Sequence, residues 1–146
     1  MTFKASLDTT ARITTISITI LFLIIALIPF WAMNTDASFS ASLFSSILLI
    51  VIYSITYAFC PQSYTLDNDS ILINRPISNI IIKKKDIQSI VKLNKEDLRC
   101  SIRTFGVGGL FGYFGKFSNR KWGTMTWYIT RRDKTILISK HKEKIS

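Results

Sequence analysis

Hydrophobic residues dominate the first part of the chain, where residues 13–59 contain a single charged side chain, Asp36. Two largely apolar runs, at about 13–33 and 39–59, each contain 21 residues, close to the roughly 20 that a helix needs to cross a bilayer. The polar residues between them, 34–38, leave room only for a short turn. The pattern therefore predicts an antiparallel hairpin of two membrane-spanning helices.

A secretory signal peptide is the alternative interpretation of the first apolar run, because Lys4 and Arg12 give the chain a basic start. A signal peptide has an apolar segment of about 7 to 15 residues and a cleavage site with small residues in an A-x-A arrangement. The run at 13–33 is longer than that, and no clean site of this kind follows it. We therefore expect this run to be a membrane span.

The two runs carry further signs of membrane helices. The hydroxyl groups of Thr15 and Thr19 can bond to helix carbonyls, so they are compatible with lipid. Tyr53 and Tyr57 are expected at the membrane interface where the second helix ends. Small residues three and four positions apart let neighbouring helices approach closely; in the second run they are Ser38, Ala41, Ser42, Ser45 and Ser46.

From residue 62 onward the pattern changes to short runs of β-branched and aromatic residues separated by turn formers. These runs predict about six to seven short strands and no amphipathic helix, and the polar residues 94–99 predict a loop. We expect a two-helix hairpin at 1–61 and a small all-β sandwich or open barrel at 62–146. The aromatic residues expected in its core are Phe105, Phe111, Phe114 and Trp127.

Charge is distributed unevenly along the chain. Residues 1–61 contain two basic and two acidic residues, whereas the remainder contains 17 basic and 7 acidic residues, so the net charge of +10 lies in the second part. Basic segments next to a membrane stay on its cytoplasmic side. Both termini are therefore predicted to be cytoplasmic, in a multi-pass membrane protein.

A basic domain also suits an anionic partner, either a lipid surface or nucleic acid. Basic and aromatic residues alternate between Arg103 and Lys121, as they do in nucleic-acid-binding domains. A β domain of this size needs those aromatic rings for its core, and a membrane tether restricts access to nucleic acid. No nucleic-acid partner is predicted.

The sequence contains no convincing catalytic or metal-binding arrangement. Leu110 and Phe117 stand where a phosphate-binding loop needs glycine and a hydroxyl residue. The histidine, His141, lies in a charged tail, the acidic residues are scattered, and Cys60 and Cys100 form no metal-binding pair. We therefore predict a protein that is not an enzyme and that uses no cofactor or metal.

A stretch rich in glycine and aromatic residues lies between the predicted strands: Arg103, Phe105, Gly106, Gly108, Gly109, Phe111, Gly112, Tyr113, Gly115, Phe117 and Gly123. Together with the strand 126–130, it resembles the signature of the bacterial pleckstrin-homology-like domains of small membrane proteins. The resemblance covers about residues 63–139 and implies a partly open barrel of two packed antiparallel sheets without catalytic residues. It also implies a bacterial protein, so we expect the chain to lie in the inner membrane of the cell. Such domains normally end in a helix that closes the barrel, but residues 140–146 are too few for one, so the closing helix is expected to be missing.

The short link between hairpin and β domain bears on function. Pro61 and Gln62 leave almost no linker, so one face of the domain is expected within a Debye length, about 8 Å, of the lipid headgroups. Six basic residues are candidates for contact with an anionic surface: Lys83, Lys84, Lys85, Lys116, Arg120 and Lys121. The alternative is that they are solvated and only set the topology.

We interpret the chain as a membrane-anchored binding or scaffolding module without catalytic activity. Its candidate partners are another membrane protein, a second copy of the chain and anionic lipid headgroups. The alternative functions are a peripheral contact module for anionic lipid and an accessory subunit of a membrane enzyme or transporter complex.

Overall fold

The computed structural model describes residues 1–31 and 36–140, which form two long helices, a one-turn helix and nine strands. The helices are α1 (Thr9–Trp31), α2 (Asp36–Ala58) and α3 (Lys95–Leu98). The strands are β1 (Thr2–Lys4), β2 (Ser63–Leu66), β3 (Ser70–Asn74), β4 (Ile80–Lys83), β5 (Ile87–Leu93), β6 (Ile102–Gly108), β7 (Tyr113–Asn119), β8 (Gly123–Ile129) and β9 (Thr135–Lys140). A single 3-10 turn, Lys84–Asp86, joins β4 to β5.

All strand pairs are antiparallel, and hydrogen bonding divides the described strands into three groups, β1-β2-β3-β4, β5-β9 and β6-β7-β8. These groups pack as a sandwich and do not close into a barrel within the described residues. The prediction of two helices followed by a β domain of antiparallel sheets is therefore confirmed.

Both long helices are long and apolar enough to cross a membrane. Each contains a 20-residue apolar segment, Thr9–Ile28 and Phe39–Ala58, and only 6% and 11% of the most apolar part of each is buried. A core helix of a soluble domain would be mostly buried, so these helices fit a membrane-anchored protein. The predicted connection at 34–38 lies partly outside the described residues.

α1 is capped by Asp8, whose Oδ1 accepts a hydrogen bond from the Ala11 N–H at 2.7 Å. The Thr15 and Thr19 hydroxyl groups donate to helix carbonyls one turn earlier, both at 2.7 Å. The Thr19 hydroxyl also forms a 2.9 Å hydrogen bond with the hydroxyl of Tyr53, which joins α1 to α2.

Strand β1 lies before α1 and was not predicted from the sequence. It pairs with β2, with Thr2 opposite Thr65 and Lys4 opposite Ser63. The chain therefore starts in the β domain, leaves it through α1 and returns through α2. Because both ends of the hairpin join the same sheet, the start of α1 and the end of α2 lie at the same side of the β domain.

The hydrophobic core brings together residues from several elements: Ala11, Leu93, Leu98, Tyr113, Phe117, Met125 and Trp127. The rings of Phe117 and Trp127 stack at a centroid distance of 4.0 Å. Phe114 and Trp127 are buried, as expected from the sequence. Ala11 is completely buried, so the first turn of α1 covers part of the core of the β domain.

Phe105 was predicted in the core, and this was wrong, because 76% of its surface is exposed. The pairing of β6 with β7 shifts register between Arg103 and Phe105, which places Phe105 opposite Lys116 and not opposite Gly115. A shift of one residue moves a side chain to the other face of a sheet. Phe105, Lys116 and Thr126 therefore lie side by side and exposed on the outer face.

Residues 94–99 were predicted as a loop, but α3 forms there. Asn94 and Asp97 make a capping box, in which the Asp97 carboxylate accepts a hydrogen bond from the Asn94 N–H at 3.1 Å. The same carboxylate forms a 2.9 Å ion pair with Lys121, and Leu98 is buried in the core. The capping box and the buried Leu98 together stabilise this helical turn, which the polar character of residues 94–99 did not indicate.

Replacing Asp97 by asparagine should remove part of the domain's stability at neutral pH but not in acid. The hydrogen bond from Lys121, followed by the one from the Asn94 N–H, lowers the pKa of the Asp97 carboxyl. A carboxylate with a lowered pKa stabilises the folded state above its unfolded pKa, about 3.9, and this contribution is lost as the pH falls through the folded value. We therefore expect the Tm difference between wild type and Asp97→Asn to shrink as the pH falls below about 4. Thermal unfolding followed by tryptophan fluorescence measures this difference, and a difference independent of pH would contradict the role of the charge.

Candidate functional site at the junction of the helices and the β domain

The loop between β6 and β7, residues 109–112, is a tight turn with left-handed backbone. The φ angle is +123° at both Gly109 and Gly112 and +57° at Phe111. The Gly109 N–H donates to the Gly112 carbonyl at 2.8 Å. A positive φ costs glycine little but costs other residues about 1–3 kcal/mol. Phe111 therefore keeps this conformation because its contacts stabilise it.

Those contacts are with both long helices. The Phe111 N–H donates to the Thr15 hydroxyl oxygen on α1 at 2.9 Å. The Phe111 ring meets the rings of Tyr53 and Tyr57 on α2 edge to face, at centroid distances of 5.1 and 5.3 Å, a favourable aromatic geometry. The Thr15 hydroxyl, in turn, lies 3.3 Å from the Gly109 carbonyl oxygen. The loop 109–112 of the β domain therefore packs between α1 and α2.

Asp8 forms a second connection between α1 and the β domain. Its backbone N–H donates to the Thr130 carbonyl at 3.1 Å. Besides capping α1, its carboxylate accepts hydrogen bonds from the Tyr113 hydroxyl at 3.2 Å and from the Arg132 N–H at 3.3 Å. One side chain thus joins the first turn of α1 to β7 and to the β8–β9 turn.

Tyr113 is well suited to donate this hydrogen bond. Burial raises the pKa of its phenol, and the nearby Arg132 cation only partly offsets that rise. The Arg132 guanidinium carbon lies 4.1 Å from the centre of the Tyr113 ring, within cation–π range. The phenol is therefore neutral at physiological pH and can donate its hydrogen bond to the Asp8 carboxylate.

The end of α2 contacts the loop 75–79 between β3 and β4. The Ile77 N–H donates to the Ala58 carbonyl at 3.3 Å, while the Ile77 side chain is 70% exposed. The Arg75 guanidinium lies 5.5 Å from the Phe59 ring and 5.7 Å from the Tyr128 ring. An exposed isoleucine is thereby held beside the end of an apolar helix.

A cavity of about 490 Å³ lies among these contacts. It is bounded by the segment before α1, by the end of α2 and by the β domain, and its lining is Lys4, Ala5, Leu7, Tyr57, Cys60, Pro61, Gln62, Ser63, Phe111 and Thr130. The Gln62 side-chain amide donates to the Tyr57 hydroxyl at 3.0 Å. Burial raises the pKa of the Cys60 thiol, so this group is a neutral thiol at physiological pH.

The predicted basic triplet Lys83, Lys84 and Lys85 is exposed and lies at the other end of its sheet. In the register of β3 with β4, Ile80 pairs with Ile73, close to α2, whereas Lys83 pairs with Ser70 at the far end. With a rise of about 3.3 Å per residue, Lys83 lies about 10 Å further along the strand than Ile80. That separation exceeds a Debye length of about 8 Å.

The second predicted group, Lys116, Arg120 and Lys121, is also exposed. β7 starts at Tyr113 beside α1, and Arg120 and Lys121 lie in the turn at its opposite end, about 20 Å further along the strand. Lys121 pairs with Asp97 and lies 5.1 Å from the centre of the Trp122 ring. The two basic groups belong to different sheets, and contact of either with lipid stays a prediction.

The glycines of the motif shape the β6–β7 hairpin. Gly106 and Gly115 are opposite each other and have φ angles of +112° and +123°. A Cβ at Gly106 would overlap the carbonyl oxygen of Phe114, and one at Gly115 would overlap that of Phe105. Glycine is therefore required at both positions to let the two backbones approach.

The remaining motif residues have less restricted surroundings. Gly108 has an ordinary φ, and a Cβ there would lie 3.5 Å from the Arg103 side chain. Gly123 has a φ of +70° and opens β8, with no atom within 4 Å of an added Cβ. The motif as a whole builds a hairpin and a docking loop, and the geometry gives it no catalytic arrangement.

Sequence reasoning missed the residues that receive this loop. Thr15, Tyr53 and Tyr57 were interpreted as ordinary features of membrane helices. The signal that could have indicated them is the clustering of polar groups at the domain end of both helices. The described residues contain no group of three or more potential metal ligands.

A family model described as Bacterial PH domain matches residues 62–146. The match covers β2 to β9, including the glycine-aromatic motif. Comparison with curated proteins and with solved structures found no match.

Proposed function

Because this chain belongs to the bacterial PH domain family, we propose that it is a membrane-anchored, non-catalytic binding module. In this proposal the helical hairpin holds the β domain in one orientation at the cytoplasmic face of the inner membrane. The main support for this proposal is the position of Phe111, which contacts Thr15 on α1 and Tyr53 and Tyr57 on α2. A module on a flexible tether would need no such contact.

The sidedness rests on charge. Both connections between the hairpin and the β domain lie at the same side of that domain, and the basic excess lies in the β domain. Positively charged segments next to spans remain in the cytoplasm. This supports a cytoplasmic β domain with both termini on the same side.

The fixed orientation determines which surfaces are available to a partner. The loop 75–79 lies beside the end of α2 and faces the bilayer surface, while Lys83, Lys84 and Lys85 lie at the far end of their sheet. The basic triplet then points into the cytoplasm and suits an acidic surface of a protein partner. The alternative is that these lysines contact lipid. The depth in the membrane of the loop 75–79 and of the lysine triplet distinguishes the two arrangements.

Spin labels at Ile77 and Lys84 test this orientation. Full-length Ile77→Cys and Lys84→Cys, each with Cys60→Ala and Cys100→Ala, are labelled and reconstituted in vesicles. Collisions with oxygen, which enriches in lipid, and with a polar nickel complex report the depth of each label. We expect an interfacial depth for the label at Ile77 and full aqueous exposure for the label at Lys84.

An aqueous label at Ile77 with an interfacial label at Lys84 would refute the orientation and would favour lipid contact by the basic triplet. Equal aqueous exposure of both labels would show that the junction does not hold the domain against the bilayer. In intact cells, the cysteine at position 84 should resist a membrane-impermeant thiol reagent, because the β domain is cytoplasmic. Reaction of that cysteine would overturn the sidedness alone.

A further inference from the structure

The cavity at the junction combines a cation, polar groups and apolar walls. Lys4 is the charged residue of its lining, and no carboxylate of the described residues lies within 4.0 Å of its ammonium. The Tyr57 hydroxyl and the Gln62 amide supply hydrogen-bonding groups on the same wall. Leu7 and Phe111 supply apolar surface. The cavity volume, about 490 Å³, lies within the range of about 300–1,000 Å³ that is usual for small-molecule sites.

The position of the cavity along the helices indicates its depth. Tyr57 belongs to the apolar segment that ends at Ala58, and Leu7 lies two residues before the segment that starts at Thr9. The cavity therefore lies where both helices leave the apolar layer. Leu7, Tyr57 and Phe59 are all more than one-third exposed beside it, so apolar surface continues from the cavity onto the outside of the hairpin.

We propose that this cavity binds one anionic glycerophospholipid of the adjacent leaflet. The ammonium of Lys4 binds the headgroup phosphate, Tyr57 and Gln62 bind the polar headgroup, and the acyl chains lie along the exposed apolar side of the hairpin. Phosphate and carboxylate are the anions that a lysine at a membrane interface attracts. The proposal rests on the membrane placement in the proposed function, and it differs from contact by the exposed basic groups because it uses a concave site.

A lipid at this position would connect the two halves of the molecule. Its headgroup would contact the segment before α1, the end of α2 and the first residues of the β domain at once. A ligand that binds only the folded junction raises the apparent stability of that junction in proportion to the logarithm of its concentration. Anionic lipid should therefore stabilise the attachment of the β domain to the hairpin.

The test uses the full-length protein in a neutral detergent with added lipid. We expect phosphatidylglycerol to raise the Tm, and phosphatidylcholine and inorganic phosphate at equal concentration to have little effect. In the Lys4→Gln variant the apparent affinity for phosphatidylglycerol should fall at least about fivefold, because one interfacial lysine is lost. Lys4→Arg should retain the response, and Lys84→Gln, which changes a distant lysine, should behave as wild type.

Native mass spectrometry of the same samples counts the bound lipid, so that a change in stability without binding is recognised. We expect one retained phosphatidylglycerol in the wild type and in Lys84→Gln, and its loss in Lys4→Gln. An equal response to phosphatidylcholine, or an unchanged response in Lys4→Gln, would refute the site. A response to inorganic phosphate alone would identify a soluble anion in place of a lipid. When the spin-label depths are measured in phosphatidylcholine vesicles, which contain no anionic lipid, failure of this site would leave the proposed function standing.

Discussion

Replacing Gly115 by alanine is expected to destabilise the β domain strongly. Gly115 has a φ of +123°, and an added Cβ would overlap the backbone carbonyl oxygen of Phe105 on the neighbouring strand. The strained φ alone costs about 1–3 kcal/mol, and relief of the overlap requires separation of β6 from β7. A total loss of about 3 kcal/mol or more is a large part of the about 5–15 kcal/mol that stabilises a typical domain.

Gly108→Ala is the matched control on the same hairpin. Gly108 has an ordinary φ, and an added Cβ there would make only van der Waals contact with the flexible Arg103 side chain. We expect its stability to stay within about 0.5 kcal/mol of wild type. Tryptophan fluorescence during thermal unfolding of the detergent-solubilised proteins measures both variants, because Trp127 is buried in the core. A stable Gly115→Ala protein would show that the two strands can separate without loss of the fold.

Replacing Phe111 by alanine is expected to loosen the attachment of the β domain to the hairpin without unfolding the domain. The substitution removes two edge-to-face ring contacts with Tyr53 and Tyr57. Each such contact contributes about 0.5–1.5 kcal/mol beyond burial of the ring, so we expect the junction to lose about 2 kcal/mol. The spin label at Ile77 should then move from interfacial depth toward water.

Phe105→Ala is the control for this change, because Phe105 is the same residue type in the same motif and is 76% exposed. Its removal should alter neither the depth of the label at Ile77 nor the protease resistance of the junction. The Phe111→Ala protein should be cleaved faster near Pro61 while its β domain keeps the wild-type Tm. An unchanged label depth in Phe111→Ala would contradict the anchoring role of the loop.

The large features of this protein could be predicted from local sequence. Two apolar runs of sufficient length predict spanning helices because the bilayer core demands apolar side chains and internal hydrogen bonding. Short β-branched runs and interposed turn formers predict strands because these preferences act over a few residues. β1 escaped this reasoning because it is three residues long and exposed, and its partner β2 lies about sixty residues later in the chain.

Positions within the fold depended on contacts between distant parts of the chain. Phe105 and Phe111 are both flanked by the glycines of one motif, yet one faces outward and the other lies between the helices. A register shift in β6 turns Phe105 outward. Contacts with the Thr15 hydroxyl and with the Tyr53 and Tyr57 rings hold Phe111 between the helices. Neither cause is visible in the neighbouring residues.

The sequence by itself determined the hairpin, the β class of the second domain and the family motif, because each follows from residue type over a short range. Only the tertiary structure decided which lysines lie at the end of the β domain that joins the two long helices. Lys83 and Lys4 are both exposed lysines at the ends of strands, but strand direction places Lys83 at the far end of its sheet and Lys4 in the cavity at the junction. Strand direction and register are properties of pairing, and pairing arises from the packing of the whole domain.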